Sequence, residues 1–164
     1  KRQDLRGAGN RGQAVWYLVK LTETVLQKEL PNTAEGVFPD MENTFFEEKA
    51  EKAYSAGIVT GYADGSFGAG NHIRREEYAA MLYRLFQYLE RETGKQLIPD
   101  DLQTRPYADE KEISAWALDA VQALSAMGIL GGDSRGDFCP DKNISLEQMI
   151  VLSRRCWKYC TDKS

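Results

Sequence analysis

Three cysteines and one histidine in 164 residues leave little room for several chemistries. An odd cysteine count means that Cys139, Cys156 and Cys160 cannot all pair within the chain, so no disulfide framework is expected and no disulfide should be essential. Cys156 and Cys160 lie four apart on a predicted helix and share one face. No further Cys or His joins them as zinc ligands, and unpaired cysteine in such a place behaves as a small buried apolar residue. The single histidine, His72, falls in a loop. No nucleophile motif and no Gly-Lys-Ser/Thr phosphate loop occurs. Asp133-Ser134-Arg135-Gly136-Asp137 has two acids but neither the order nor the closing glutamate of an EF-hand. Among 25 acidic residues a carboxylate pair facing a glycosidic bond can always be imagined. No motif supports one, and the expectation is a chain with no enzymatic activity, no cofactor and no metal.

Dense runs of Lys and Arg are also missing, and the formal net charge is -4. Proteins that neutralise nucleic-acid phosphates carry basic patches, so a nucleic-acid partner is not expected. The longest nearly unbroken apolar run, Ala14 to Val19, is far too short to span a bilayer, and no membrane insertion is expected. No charged-then-apolar signal sequence opens the chain. Lys1 falls in what reads as a loop, and a leader is expected upstream of it. What is present is ordinary folded composition, 42% hydrophobic and 28% charged.

The dominant pattern is a repeat. Phe45 to Arg84 lies over Trp116 to Arg155 without a gap, 71 residues apart throughout. Ala56-Gly57-Ile58 falls on Met127-Gly128-Ile129, Gly61 on Gly132, Gly65 on Gly136, Phe67 on Phe138 and Ile73 on Ile144. Phe38-Pro39-Asp40 resembles Tyr107-Ala108-Asp109 with a two-residue slip. A third, partial copy opens the chain, where Asn10-Arg11-Gly12-Gln13 resembles Arg74-Arg75-Glu76-Glu77. A fixed period with matched glycines and aromatics marks a repeat architecture. Each unit reads as helix, glycine-rich loop, helix. Ala50, Ala53 and Tyr54, then Ala117, Val121 and Leu124, keep helical spacing and stop at Gly57 and Gly128. Tyr78, Leu82, Leu85, Phe86 and Leu89 form a second stripe that Gly94 and Pro99 end, and Ala14, Leu18, Leu21 and Val25 form its counterpart. The loops around Gly61 to Phe67 and Gly132 to Phe138 leave room for short strands at most. Five helices are predicted, in units spanning 1–33, 34–98 and 99–164, with 90–105 as the inter-unit connection.

The string GIVTGYADGSFGAGNHIRREEYAAMLYRLF, Gly57 to Phe86, resembles the S-layer homology repeat. That family carries F-x-D with a nearby Trp, then G-I-x-x-G-x-x-D-G-x-F, then I-T-R-A-E. The middle unit matches at Phe38, Asp40, Gly57, Ile58, Gly61, Tyr62, Asp64, Gly65, Phe67, Ile73, Arg75 and Glu77. The last unit keeps Tyr107, Asp109, Trp116, Gly128, Ile129, Gly132, Gly136, Phe138, Pro140 and Ile144, but puts Leu146 where the family has arginine. The opening unit keeps Arg11, has Gln13 for the glutamate, and lacks its front half. The resemblance implies a mainly α fold of helix–loop–helix repeats, packed as a pseudo-threefold bundle or spindle. It implies an extracellular anchor on the Gram-positive cell surface, fused to or associated with another exported domain. The implied partner is a secondary cell wall polysaccharide, often bearing pyruvate ketals, bound in grooves between units. The resemblance places the arginine, the early aspartate and the tryptophan there, here Arg75, Arg11, Asp40, Asp109 and Trp116; Glu77, Tyr62, Gly61 and Gly132 join them as candidate ligand contacts on their own chemistry. Loss of the arginine at Leu146, and Gln13, point to an alternative: a degenerate scaffold that binds another protein.

Each of these residues also has a structural reading. Glu77, Gln13 and Gln148 stand where a capping box places its acid or amide. Arg11 and Arg75 open helices, where free backbone N–H groups attract anions, so helix end and guanidinium together would form a carboxylate receptor. The alternative there is pairing with a nearby acid. Glycines 61, 65, 132 and 136 suit positive φ or close backbone approach, and their exposed N–H groups are alternative sugar contacts. Tyr62 offers a stacking face. Phe67 and Phe138 read as core anchors of their loops. Asp40 and Asp109 read as caps or as acceptors for sugar hydroxyls, and Trp116 either lines a groove or plugs the bundle.

Overall fold

The computed structural model describes residues 4–163. Five α-helices are found among them: α1 Arg11–Leu26, α2 Glu47–Ser55, α3 Arg75–Thr93, α4 Ala115–Ala126 and α5 Leu146–Asp162. Short 3-10 turns at Pro39–Met41 and Glu110–Glu112 precede α2 and α4. No strand forms among the described residues; the loops contribute isolated bridges.

The helix ends follow from local chemistry. Asn10 and Gln13 close a reciprocal capping box on α1, and Ser145 and Gln148 do so on α5. On α3 only half the box exists, because an arginine side chain has no acceptor. There the Glu77 carboxylate accepts from the Arg74 backbone N–H at 3.3 Å and from its Nε at 2.9 Å. At the other ends, Gly57 and Gly128 take φ of 76° and 75° just after α2 and α4. A residue with a Cβ pays roughly 1–2 kcal/mol for that conformation.

The longer helices α1, α3 and α5 form the centre, with α1 packed on both of the others, while α2 lies on α1 and α4 on α3. Their inward stripes make one core in which Leu18, Leu82, Leu85 and Leu89 have no solvent exposure. Cys156 and Cys160 are buried on the inner face of α5, and all three cysteines are free.

The bundle is closed by backbone bonds between units. Antiparallel bridges join Asn10 to His72, Arg74 to Asn143 and Ala8 to Ser145. The first N–H groups of each central helix donate to carbonyls of a neighbouring segment. Arg11 and Gly12 donate to Asn71 and Ala69, Arg75 and Glu76 to Lys142 and Pro140, and Leu146 and Glu147 to Gly7 and Leu5. The three sets run head to tail around a ring, which gives the fold its threefold character. They also correct one expectation. The leading N–H groups of α1 and α3 are spent on neighbouring carbonyls, so those helix ends are not open anion sites.

Candidate functional site

Arg11 and Arg75 are the first residues of α1 and α3, and each reaches across a unit boundary. Arg11 Nε donates to the Phe67 carbonyl at 2.8 Å, and Nη2 to the Thr60 carbonyl at 3.1 Å. Arg75 Nε donates to the Phe138 carbonyl at 2.8 Å, and Nη2 to the Gly131 carbonyl at 3.5 Å. Phe67 and Phe138 are repeat equivalents, as are Thr60 and Gly131. Each guanidinium also lies over the ring of that phenylalanine, at 4.7 Å for Arg11 and 4.8 Å for Arg75.

The same phenylalanine is held from its other side. Asp40 accepts from the N–H groups of Phe67 and Gly68 at 2.9 and 2.8 Å. Asp109 accepts from Phe138 and Cys139, both at 2.8 Å. Beneath them Phe38 packs on Phe67 and Tyr107 on Phe138, with ring centroids 5.1 and 5.3 Å apart. Phe67 and Phe138 are buried, as expected of loop anchors. Asp40 and Asp109 therefore clamp the loops that the arginines grip, each carboxylate holding two backbone donors. Gly61 and Gly132 belong to these loops through close approach rather than positive φ. A Cβ on Gly61 would stand 2.7 Å from the Phe38 ring and from the Ser66 carbonyl, and one on Gly132 would stand 3.1 Å from the Asp137 carbonyl. The positive φ falls on Gly65 and Gly136.

Two grooves result. The first, about 200 Å3, gathers Arg11, Gly61, Tyr62, Glu77, Arg84 and Trp116. Five of the nine residues singled out in the sequence thus meet in one place, although they come from all three units. Tyr62 flanks the Arg11 guanidinium at 4.8 Å, and Trp116 is 57% exposed on the groove wall rather than plugging the bundle. The second groove, about 640 Å3, gathers Arg75, Gly132, Asp133, Asp137, Lys142 and Arg155. Burial draws the Arg75 guanidinium below its ordinary pKa, and negative neighbours including Asp109 and Asp133 oppose that shift. At the third helix start Leu146 is buried and brings no charge.

Arg84 and Arg155 were not singled out from the sequence. They stand ten residues beyond the caps Arg74 and Ser145, and Lys20 stands ten beyond Asn10. A basic residue recurring at one helical position in all three copies was a legible signal. Cys139 was also missed as a groove residue. It holds φ of 60° where the middle unit has Gly68 at 70°.

The S-layer homology domain model matches residues 37–79 and 106–150, which include both clamps, both loops and the helix starts that follow. The chain belongs to the S-layer homology family. Domains of this family anchor proteins to the cell wall. Among curated relatives, an endoglucanase of Bacillus sp. (strain KSM-635) is 38% identical over 122 residues, covering 74% of this chain and 12% of that protein. An amylopullulanase of Thermoanaerobacterium thermosulfurigenes is 31% identical over 73% of this chain and 6% of its own length. Cell surface glycoprotein 1 of Acetivibrio thermocellus is 28% identical over 72% and 5%. The chain thus spans a small part of these relatives, and the shared part is the S-layer homology segment. No helix among the described residues is long and apolar enough to cross a membrane.

Proposed function

We propose that this chain is a non-catalytic anchoring module of the cell surface, organised as units 1–33, 34–98 and 99–164. It grips an acidic cell wall polysaccharide, pyruvylated sugars being the fitting class, in the grooves headed by Arg11 and Arg75. The observation that carries this reading is the repeated guanidinium clamp. Of the five N–H donors on each arginine, two hold loop carbonyls. Three remain without a partner among the described residues, on a group already fixed in place. A fixed, partly desolvated fork is suited to a carboxylate, and fixing it beforehand lowers the entropic cost of binding. Tyr62 and Trp116 supply faces for sugar rings in the first groove. Asp40, Asp109, Gly61 and Gly132 act one step back, by shaping the loops. Glu77 lines the first groove while capping α3. The partner domain in the whole protein is an exported one.

The test is binding of the protein to wall polysaccharide stripped of protein, followed by calorimetry. Saturable binding that Arg11→Ala or Arg75→Ala weakens supports the reading. No binding to stripped polymer, with retained binding to whole walls, would transfer the role to a protein partner. New reducing ends after incubation would show catalysis instead.

A further inference from the structure

The two grooves carry the same balance of charge but not the same charges. The first is lined by Arg11, Arg84 and Glu77, and Glu77 is already engaged by Arg74. The second is lined by four basic side chains and three acidic ones, Asp133, Asp137 and Glu147. Each groove thus has one more cation than acid. In the second, no ion pair joins any of these side chains among the described residues. Two of its cations are fixed on one loop, Arg75 through the Phe138 and Gly131 carbonyls and Arg155 through the Ile129 carbonyl at 3.1 Å. Its leading acid is fixed on the same loop. In the middle unit the turn is closed by Asp64, which accepts from the Ser66 N–H and hydroxyl at 2.9 and 2.6 Å and does not line the first groove. In the last unit the closing carboxylate stands two residues earlier. Asp133 Oδ1 accepts from the N–H groups of Arg135 and Asp137 at 2.9 and 3.0 Å. Its Oδ2 meets only the Cys139 thiol, at 3.7 Å. The shift moves the acid onto the groove wall, at the repeat position of Tyr62, and Asp137 replaces Ser66 beside it.

We propose that the second groove selects a sugar unit that bears a free ammonium group beside its acid, that is, a non-acetylated amino sugar, with Arg75 taking the acid and Asp133 and Asp137 the ammonium. The first groove selects the same acidic unit with its amine acetylated. This inference rests on the anchoring reading and names the ligand of each groove. Fixed charges of both signs that do not pair with each other complement a ligand that carries both signs. An acid alone meets Arg75 with Asp133 beside it, and that like charge works against it. In the first groove an ammonium would face Arg11 and Arg84, while the one acid there is held by Arg74. An acetyl group brings no charge, and its methyl and the sugar ring fit the faces of Tyr62 and Trp116.

The test is calorimetry with two probes, a pyruvylated N-acetylhexosamine glycoside and the same glycoside with its amine free. At about pH 6 such an amine is protonated and the acids are ionised. Arg11→Ala leaves the second groove to report, and Arg75→Ala leaves the first. With Arg11→Ala the free-amine probe should bind about fivefold more tightly than the acetylated one, the range of an exposed charge pair, and the margin should shrink as salt is raised. With Arg75→Ala the order should reverse. Adding Asp133→Asn and Asp137→Asn to Arg11→Ala should abolish the preference for the free amine. Asparagine at 133 still accepts the two loop N–H groups, so the turn is kept. A second variant moves the acid off the wall and leaves the net charge of the loop unchanged. Asp133→Tyr, Arg135→Asp and Asp137→Ser together rebuild the turn of the middle unit, and should give the second groove the order of the first. The same order in both grooves, or a preference that survives both sets of substitutions, would overturn the inference and leave the anchoring reading standing. Failure of both probes to bind in either background would remove the anchoring reading and the inference with it.

Discussion

At Arg11 the guanidinium lies between the rings of Phe67 and Tyr62; at Arg75 it lies over Phe138, and Asp133 occupies the repeat position of Tyr62. The clamp that holds each arginine is the same to within tenths of an ångström for the Nε bond and both aspartate bonds. The walls are not alike. The first groove is smaller and carries Tyr62 and Trp116 beside Arg11, Arg84 and Glu77; the second is larger and puts Asp133, Asp137 and Lys142 where the first has aromatic faces. One frame, bonded through backbone atoms, is thus separable from the side chains that set what each groove prefers. Divergence between repeats has touched the walls while leaving the frame in place.

Perturbing the frame should have the largest effect, and an equal one in both units. Asp40→Ala and Asp109→Ala each strand two backbone donors, and each should cost about 3 kcal/mol in urea titration. A cost below about 1 kcal/mol at one aspartate alone would show that the two clamps are not equivalent.

The loop position after the phenylalanine should separate the units by sign. Gly68 has φ of 70°, and a Cβ there would come within 2.7 Å of the Tyr62 ring and 2.6 Å of Asn71, so Gly68→Ala should destabilise by about 2 kcal/mol. Cys139 already carries a side chain at φ of 60°, and Cys139→Gly should be neutral or stabilise by up to about 1 kcal/mol. Thermal melts of both variants check this; destabilisation by both would erase the contrast.

A smaller effect concerns acid. Asp64 is held below the usual carboxylate range by the Ser66 hydroxyl and N–H, and Asp133 by the N–H groups of Asp137 and Arg135. A depressed folded pKa contributes stability that is present above the unfolded value, about 4, and is lost as pH falls through the folded value. The protection of the Ser66 and Asp137 amides, taken relative to the pH-dependent intrinsic exchange rate, should therefore fall below about pH 4 in both loops. Protection that stays constant down to pH 2 would contradict the role given to these carboxylates.

The helices were legible because their determinants are local. Leu82, Leu85 and Leu89 follow one apolar stripe, and Gly57, Gly94 and Gly128 end their helices through positive φ. The grooves were legible only as a set of residues, through the family resemblance, and not as places. Arg11 grips a carbonyl 56 residues away, and a carbonyl acceptor carries no sequence signature. Trp116 reaches the Arg11 groove from the third unit, which no spacing within a unit can reveal. The expected anion site at the helix ends failed for the same reason. The Lys142 and Pro140 carbonyls that consume those N–H groups belong to any residue type.

The central claim is that a pre-held guanidinium meets a ligand carboxylate. It is tested most directly by a double-mutant cycle on wall polymer with and without its acidic substituents, using wild type, Arg75→Ala and Arg11→Ala. A hydrogen bond to a charged group contributes about 1.5–3 kcal/mol, so each alanine variant should bind the acidic polymer roughly 10- to 150-fold more weakly. Removing the acidic groups should cost the wild type more than either variant, because both changes delete ends of one contact. Equal affinity of wild type and both variants for the acidic polymer would contradict the account.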